Sequence, residues 1–514
     1  MRLSSPRCSR ISFQSPRKIR VTTSPTQNPD VFANSLQKTL DAHRTSNRAR
    51  LIRKVYPRTP PAGLWRPEIP LESRPQHQPA SPSAPAENVV EPVVEETLGR
   101  RRRGFQNRDA AIQPNPNPHE DALIRSSGST FNNDDDDDDA RNAPWLRYMS
   151  ASDAADNATT FLNREILALE RYLTPTSQEQ ACIDQLSAHV FSLLNPIVPH
   201  PPQLIGSRKI GLALAHSDLN FFLPFDDLPR SPDRLRKPSP TRPQIQDAHL
   251  DLLRHIEILF KEGPSFGNIQ LSGKRRPVLA ARHQTTGLLL RFHCGESTPE
   301  IMKYMRNYMN QYPTLHSLYI ATRALLEARG IFGPAHAGIR SDALVMLLVA
   351  FFKLKIDLIS APLNVADQFL RFLRFYGTEV ELQSLGVSVE PPGLFGPEKT
   401  HEADKGYAES SLRRGQRSLI NAKRTAVSRG NMPAGQRLCI QDPTHHMNDL
   451  GRSCIRTAEL QNIFATAYQQ LYDATSSWNN AEGTQSSILG IALRADFDPL
   501  NTFRERLVSN NQHI

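Results

Sequence analysis

Two oxygen-bearing side chains stand two residues apart in Ser217-Asp218-Leu219-Asn220, just ahead of Phe221, Phe222 and Leu223. Extended backbone repeats every two residues, so Asp218 and Asn220 share one face of a strand expected over 218–223. Both offer oxygen to a hard divalent cation such as Mg2+ or Mn2+, the first as an anion and the second as a neutral amide. An amide oxygen can coordinate one cation, but without charge it bridges two poorly. Other constellations offer less chemistry. His445–His446 and His293–Cys294 have no second pair at metal-ligand spacing. Ser207, in Gly-Ser-Arg, has none of the nucleophile-elbow pattern. The five cysteines, at 8, 182, 294, 439 and 454, contain no Cys-x-x-Cys pair. They suit a reducing compartment rather than a disulfide framework or a zinc site.

The elements that must position this pair can be read from periodicity. Phe161, Leu162, Ile166, Leu167 and Leu169 recur at helical spacing over 157–171. The Thr-Pro-Thr-Ser stretch at 174–177 then caps a second helix that runs to about 194, with Glu179 in its first turn. Short strands are expected at 203–205, 218–223, 268–271, 278–282 and 287–293. The Pro-, Asp- and Arg-rich segment 226–243 reads as a surface loop, and 244–260 as an amphipathic helix. Helices dominate from 299 to 375, where the apolar stripe 344–352 is core, and a last helix spans about 457–473. The polar, basic stretch 398–437 shows no periodicity and reads as a flexible insertion, and 476–514 as a C-terminal tail.

A chain of 514 residues with 38% hydrophobic side chains has room for two or three domains. A mean hydropathy of −0.48 and 41 prolines place much of it outside any core. Residues 1–145 read as a disordered leader: Pro-rich over 57–92, with four arginines at 100–103 and six aspartates at 134–139. Such blocks hold too little apolar surface to offset the entropy of ordering them. The first 29 residues contain no carboxylate but six Lys and Arg among many serines, which resembles a mitochondrial transit peptide. Prolines at 6, 16, 25 and 29 fit equally an ordinary basic leader of a nuclear or cytoplasmic protein. The formal net charge of +10 suits a polyanion such as RNA, and charge on a long tail also serves solubility. No apolar run is long enough to span a bilayer, so no membrane partner is expected.

Three stretches, in order and spanning about 160–475, resemble the template-independent poly(A)/poly(U) RNA polymerases of the DNA polymerase β-type nucleotidyltransferase superfamily. The first is LTPTSQEQ with the later IGSRKIGLALAHSDLNFFLP, carrying Gly206, Ser207, Gly211, Leu212, Ser217, Asp218 and Asn220. The second is SLYIATRALLEARGIFGPAHAGIRSDALVMLLVAFFKL followed by FLRFLRFYG, and the third is CIQDPTHHMNDLGRSC. The resemblance implies an α+β fold. A nucleotidyltransferase palm over 150–298, a mixed sheet with helices, joins a helical central and PAP-associated domain over 299–475 that also draws on helices around 150–200. The site would lie in a cleft between them.

The family's reaction joins a nucleotide to an RNA 3′-hydroxyl with two divalent metals held by three carboxylates. Carried onto this chain, Asp218 fills the first carboxylate position, Asn220 stands at the second, and Arg291 falls at the third. No aspartate lies between Asp251 and Asp342, and Glu296 lies beyond the strand, so a register shift restores no carboxylate there. Metal ligands reduce to Asp218 and Asn220, with Asp226 and Asp227, in the loop after Pro224, as a less favoured alternative. By the same resemblance, Gly206, Ser207, Arg323, Ser341, Asp442, Asn448 and Asp449 are candidates for nucleotide binding. The family's Ser-Ser-Tyr is here Arg340-Ser341-Asp342, without an aromatic face, and its two phosphate-neutralising lysines are Arg323 and Glu327. Asp442, Asn448 and Asp449 serve equally as ordinary turn residues.

These substitutions imply a catalytically impaired family member that binds RNA and holds nucleoside triphosphate weakly or not at all, with no cofactor. An active divergent enzyme would need Mg2+ or Mn2+. A third possibility is a scaffold whose leader binds a protein partner.

Overall fold

The computed structural model describes residues 123–126, 143–149, 157–225, 243–273, 276–295, 299–356, 363–397, 407–478 and 487–509. The address-like start, the four arginines, the six aspartates and nearly all of the 226–243 loop lie outside the described residues.

Helix α1 (Ala158–Leu173) starts where the Asn157 side chain accepts the Thr160 N–H at 2.8 Å. Helix α2 (Ser177–Leu194) opens on a reciprocal capping box between Thr176 and Glu179. Five strands follow: β2 (Gln203–Ile205), β3 (Leu219–Pro224), β4 (Phe266–Ser272), β5 (Val278–His283) and β6 (Leu289–Gly295). They form one mixed sheet in the order β2-β3-β6-β5-β4, in which only the β3–β6 pair is parallel. β3 buries Leu219, Phe221, Phe222 and Leu223 on both faces, as a strand inside a sheet does. β6 alternates, burying Leu290 and Phe292, and Phe292 stacks on Phe221 with centroids 5.1 Å apart. Helix α3 (Pro243–Glu262) completes the palm with Leu253, Ile256 and Phe260.

The second body is helical: α4 (Ile301–Gln311), α5 (Leu315–Ala328), α6 (Ser341–Phe351) and α7 (Val365–Arg374), then the hairpin β7 (Gly386–Val389)–β8 (Pro392–Phe395). Helix α6 is buried at every residue from Ala343 to Phe351. A segment apolar all round has no solvent face to offer and takes the centre of the domain. Helix α9 (Thr457–Ser477) packs on α7, where the Phe464 ring meets Phe372 with centroids 5.3 Å apart. No described helix is long and apolar enough to cross a membrane.

Several expectations need correction. Helices α1 and α2 do not both join the helical domain: α1 packs there, whereas α2 buries Cys182, Ile183, Leu186 and Val190 in the palm core. The leader read as disordered to 145 contains an ordered island. Its β1 (Arg125–Ser126) is paired, Ile124 is buried, and Trp145 is fully enclosed against Phe497. The stretch read as a flexible insertion is helix α8 (Tyr407–Ser428) over most of its described length. It burs in through Leu419 and Ile420 against Phe395 and Cys439. The expected tail is also structured, as α10 (Ile488–Leu493), β9 (Ala495–Asp496) and α11 (Asp498–Ser509). β9 pairs antiparallel with β1, and Arg504 forks onto the Glu179 carboxylate at 2.6 and 3.0 Å.

A buried carboxyl fastens this C-terminal segment. Glu165, on α1, accepts hydrogen bonds from Ser487 Oγ and from Leu489 N at 2.9 Å. Burial pushes its pKa from 4.5 up to about 7, against the opposing pull of the Ser487 and Leu489 hydrogen bonds. A folded-state value above the unfolded one means the folded chain binds more protons. The stability that Glu165 adds is therefore full below about pH 4.5 and lost as pH rises through 7. Glu165→Gln should flatten the fall in Tm between pH 5 and 8, read by differential scanning fluorimetry. Parallel Tm profiles of variant and parent would show that Glu165 does not titrate in this range.

Candidate active site

Strand order brings the candidate residues into a row. β2 pairs with β3 so that Ile205 faces Asn220, and β6 pairs with β3 so that Asn220 faces Arg291. Gly206 follows β2 at φ +78°, in the left-handed region, and a Cβ there would lie 3.3 Å from Asn220 Nδ2. Glycine both permits the turn and lets it close on the amide. β3 begins at Leu219, so Asp218 immediately precedes the strand rather than opening it. From that position its carboxylate meets β6: Arg291 Nε donates to Asp218 Oδ2 at 2.7 Å. Both side chains are partly open to solvent, at 29% for Arg291 and 36% for Asp218.

This donor set does not fit a pair of divalent cations. Its single carboxylate is engaged by a guanidinium, and its second oxygen donor is the neutral Asn220. Among the described residues no group of three His, Cys, Asp or Glu could hold a metal ion. Asp226 and Asp227 lie outside the described residues. The surroundings are cationic as well. His293, two residues beyond Arg291, is pushed down to about 4 by burial and then by Arg291 and Arg340, so it is neutral at pH 7.

The nucleotide-binding candidates fall into two groups. Ser207 opens a single helical turn (Ser207–Ile210) directly after Gly206. Arg323, on α5, is buried, donating from Nε to Glu327 Oε1 at 2.7 Å and from Nη1 to Ser217 Oγ at 2.9 Å. His216 Nε2 meets the other Glu327 oxygen at 2.9 Å. Burial alone would raise the Glu327 pKa, but Arg323 and His216 hold it down to about 2. The guanidinium that the sequence offered to a triphosphate is thus enclosed in an internal ion pair. Ser341 is the first residue of α6, beside the Arg340–Asp342 pair at 2.7 Å.

The second group builds a separate turn. Asp442 accepts from Thr444 N (2.8 Å), Thr444 Oγ1 (2.6 Å) and Asn448 Nδ2 (2.8 Å). Asp449, buried, accepts from Ile440 N and Gly451 N, each at 3.0 Å, and pairs with Arg437 at 3.3 Å. Burial raises the Asp449 pKa against these hydrogen bonds.

One residue was passed over in the sequence. Arg208 donates from Nε to Ser217 O and from Nη2 to Ala215 O, each at 3.0 Å, tying the Gly206–Ser207 turn to the approach of β3. Its only sequence signal is its place directly after Gly-Ser.

No protein-family model matches the chain. Among curated proteins, the poly(A) RNA polymerase gld-4 of Caenorhabditis elegans is 25% identical over 181 residues, 34% of this chain and 18% of that protein. The poly(A) RNA polymerase cid14 of Schizosaccharomyces pombe is 24% identical over 171 residues, 32% of this chain and 21% of that one. A Cryptococcus neoformans poly(A) RNA polymerase, CID14, is 20% identical over 374 residues, 68% of this chain and 43% of its own length. The chain therefore spans less than half the length of each of these relatives. Among solved structures, the polymerase core of TRAMP, described as an RNA surveillance complex, matches with a TM-score of 0.53 at 17% identity. The match covers 68% of this chain and 98% of that one, and shows a shared fold.

Proposed function

We propose that the chain is a member of the poly(A)/poly(U) polymerase family of nucleotidyltransferases, which it resembles in sequence and fold, and that within it this protein has lost metal-dependent transfer and acts by binding RNA. One observation carries the proposal: Arg291 Nε sits on Asp218 Oδ2 at 2.7 Å. Fold outlasts chemistry, so the site decides the function. A divalent cation would supply charge to activate an attacking hydroxyl and to hold a triphosphate. Here a fixed organic cation lies on the one carboxylate among the described residues of the site that could receive it, and the neighbouring position is the neutral Asn220. Arg323, turned inward to Glu327, supplies no free charge to phosphates. What remains is a basic chain of the family's fold with a net charge of +10, which suits a polyanion.

Purified protein incubated with end-labelled RNA, each nucleoside triphosphate and Mg2+ or Mn2+ should give no extended product. A product ladder abolished by Asp218→Ala would overturn the proposal and establish an active divergent polymerase.

A further inference from the structure

Helix α8 carries Arg413, Arg414, Arg417, Lys423 and Arg424 against a single carboxylate, Glu409. One side of it is fixed to the turn that resembles the family's nucleotide-recognition motif. Gly415 lies so close to that turn that a Cβ would be 2.3 Å from His446 O. Gln441 Nε2 bridges Leu412 O at 3.1 Å and His446 O at 3.0 Å. Leu419 and Ile420 are buried, and Lys423 Nζ is spent on Arg437 O at 2.8 Å.

The four arginines fall on the other side. At 3.6 residues per turn, Arg413, Arg414, Arg417 and Arg424 lie within about 100° of arc and along roughly 16 Å of helix. Arg414 and Arg424 are exposed, Arg413 and Arg417 half-exposed, and Arg429, just past the helix end, is exposed as well. The exposed large apolar residues nearby are Val427, Met432 and Met447, and none of them lies between Arg413 and Arg424. A protein interface centres on apolar and aromatic anchors, whereas a row of like charge without them matches a phosphate backbone.

We propose that this arginine face of α8 binds the sugar-phosphate backbone of single-stranded RNA, beside the turn at 441–449. The proposal rests on the RNA-binding reading above and adds the surface that performs it. Contacts to phosphate carry no base information, so binding is indifferent to sequence.

The test uses the full chain and fluorescein-labelled oligo(A) and oligo(U), followed by anisotropy from 50 to 200 mM salt. Removing four phosphate contacts should lower the slope of log K against log salt by about 3, since each contributes about 0.7 on a single strand. The R413Q/R414Q/R417Q/R424Q variant should accordingly lose at least tenfold in affinity for both oligonucleotides at 50 mM salt. The pair R414E/R424E alters only exposed positions and should weaken binding in the same direction with an unchanged circular dichroism spectrum and Tm. If the parent binds RNA and both variants keep its slope, the α8 assignment falls while the RNA reading stands. If the parent does not bind either oligonucleotide at 50 mM salt, the RNA reading falls with it. Displacement of RNA by poly-L-glutamate at equal charge concentration would overturn the assignment in favour of an acidic protein partner.

Discussion

The N220D/R291D double variant should bind Mn2+ at least about 100-fold more tightly than the parent chain, read by calorimetry or by the electron paramagnetic resonance of free Mn2+. The change keeps Asp218 and turns one amide and one guanidinium into carboxylates, on two strands already in register at Asn220 and Arg291. Two unit charges about 4 Å apart interact by about 4 kcal/mol at the effective dielectric of a site near the surface. A dication beside Arg291 therefore meets roughly twice that in repulsion. Partial exposure of both side chains, 29% and 36%, lets solvent screen most of this. The few kcal/mol that survive correspond to two or more decades in Kd. Arg291→Gln alone removes the repulsion without adding a ligand and should fall between parent and double variant. In the double variant, three converging carboxylates without a metal repel one another. Its Tm should drop in chelator and recover with Mn2+ by linkage, while the parent's Tm ignores the ion. Comparable Mn2+ binding by parent and double variant would show that the Arg291–Asp218 pair does not exclude the metal. Nucleotide addition by the double variant is not required by this expectation, because Arg323 and Asp342 remain as they are.

Much of the frame was legible because it is written locally. The capping box at Thr176 and Glu179 announces α2 within four residues, and the palm strands follow from short apolar runs between turn signals. The resemblance put Arg291 at the third carboxylate position, and the structure pairs that residue with Asn220 across β3 and β6. What escaped was long-range. Trp145 is buried by Phe497, Glu165 by Ser487 and Leu489, and Glu179 holds Arg504, contacts more than 300 residues apart in sequence. No local window distinguishes such a segment from a tail. Helix α8 escaped for a different reason. Its buried stripe includes Gly415 and Lys423, a residue without a side chain and a cation, so apolar periodicity is interrupted twice within nine residues. Only the partner surface at 437–446 makes them interior. The ion pair of Arg323 and Glu327 was visible as an i,i+4 spacing, yet the resemblance drew both outward toward a triphosphate.

That pair gives the sharpest test of an internal role. Arg323→Ala should destabilise the protein by about 3–5 kcal/mol, because it leaves a buried carboxylate with His216 as its remaining partner and frees Ser217 Oγ. Arg323→Met combined with Glu327→Leu removes both charges and fills the space with apolar side chains. It should recover most of that loss, since a buried pair contributes little beyond a well-packed apolar substitute. Denaturant unfolding of the parent, Arg323→Met, Glu327→Leu and the double variant closes the cycle. The pH dependence adds a sign. Glu327 is held at about 2, below its ordinary 4.5, so its contribution is present above about pH 4.5 and lost as pH falls toward 2. Acid unfolding of the double variant should lack that component. If Arg323→Ala costs under about 1 kcal/mol, the pair is not the internal tie described, and the guanidinium is available to phosphate after all. If the cost is large and the double variant recovers it, the position that the resemblance offers to a triphosphate is part of the bond that holds α5 to the start of β3. Ser217, joined to Arg323 through Oγ and to Arg208 through its carbonyl, then fixes where Asp218 meets Arg291.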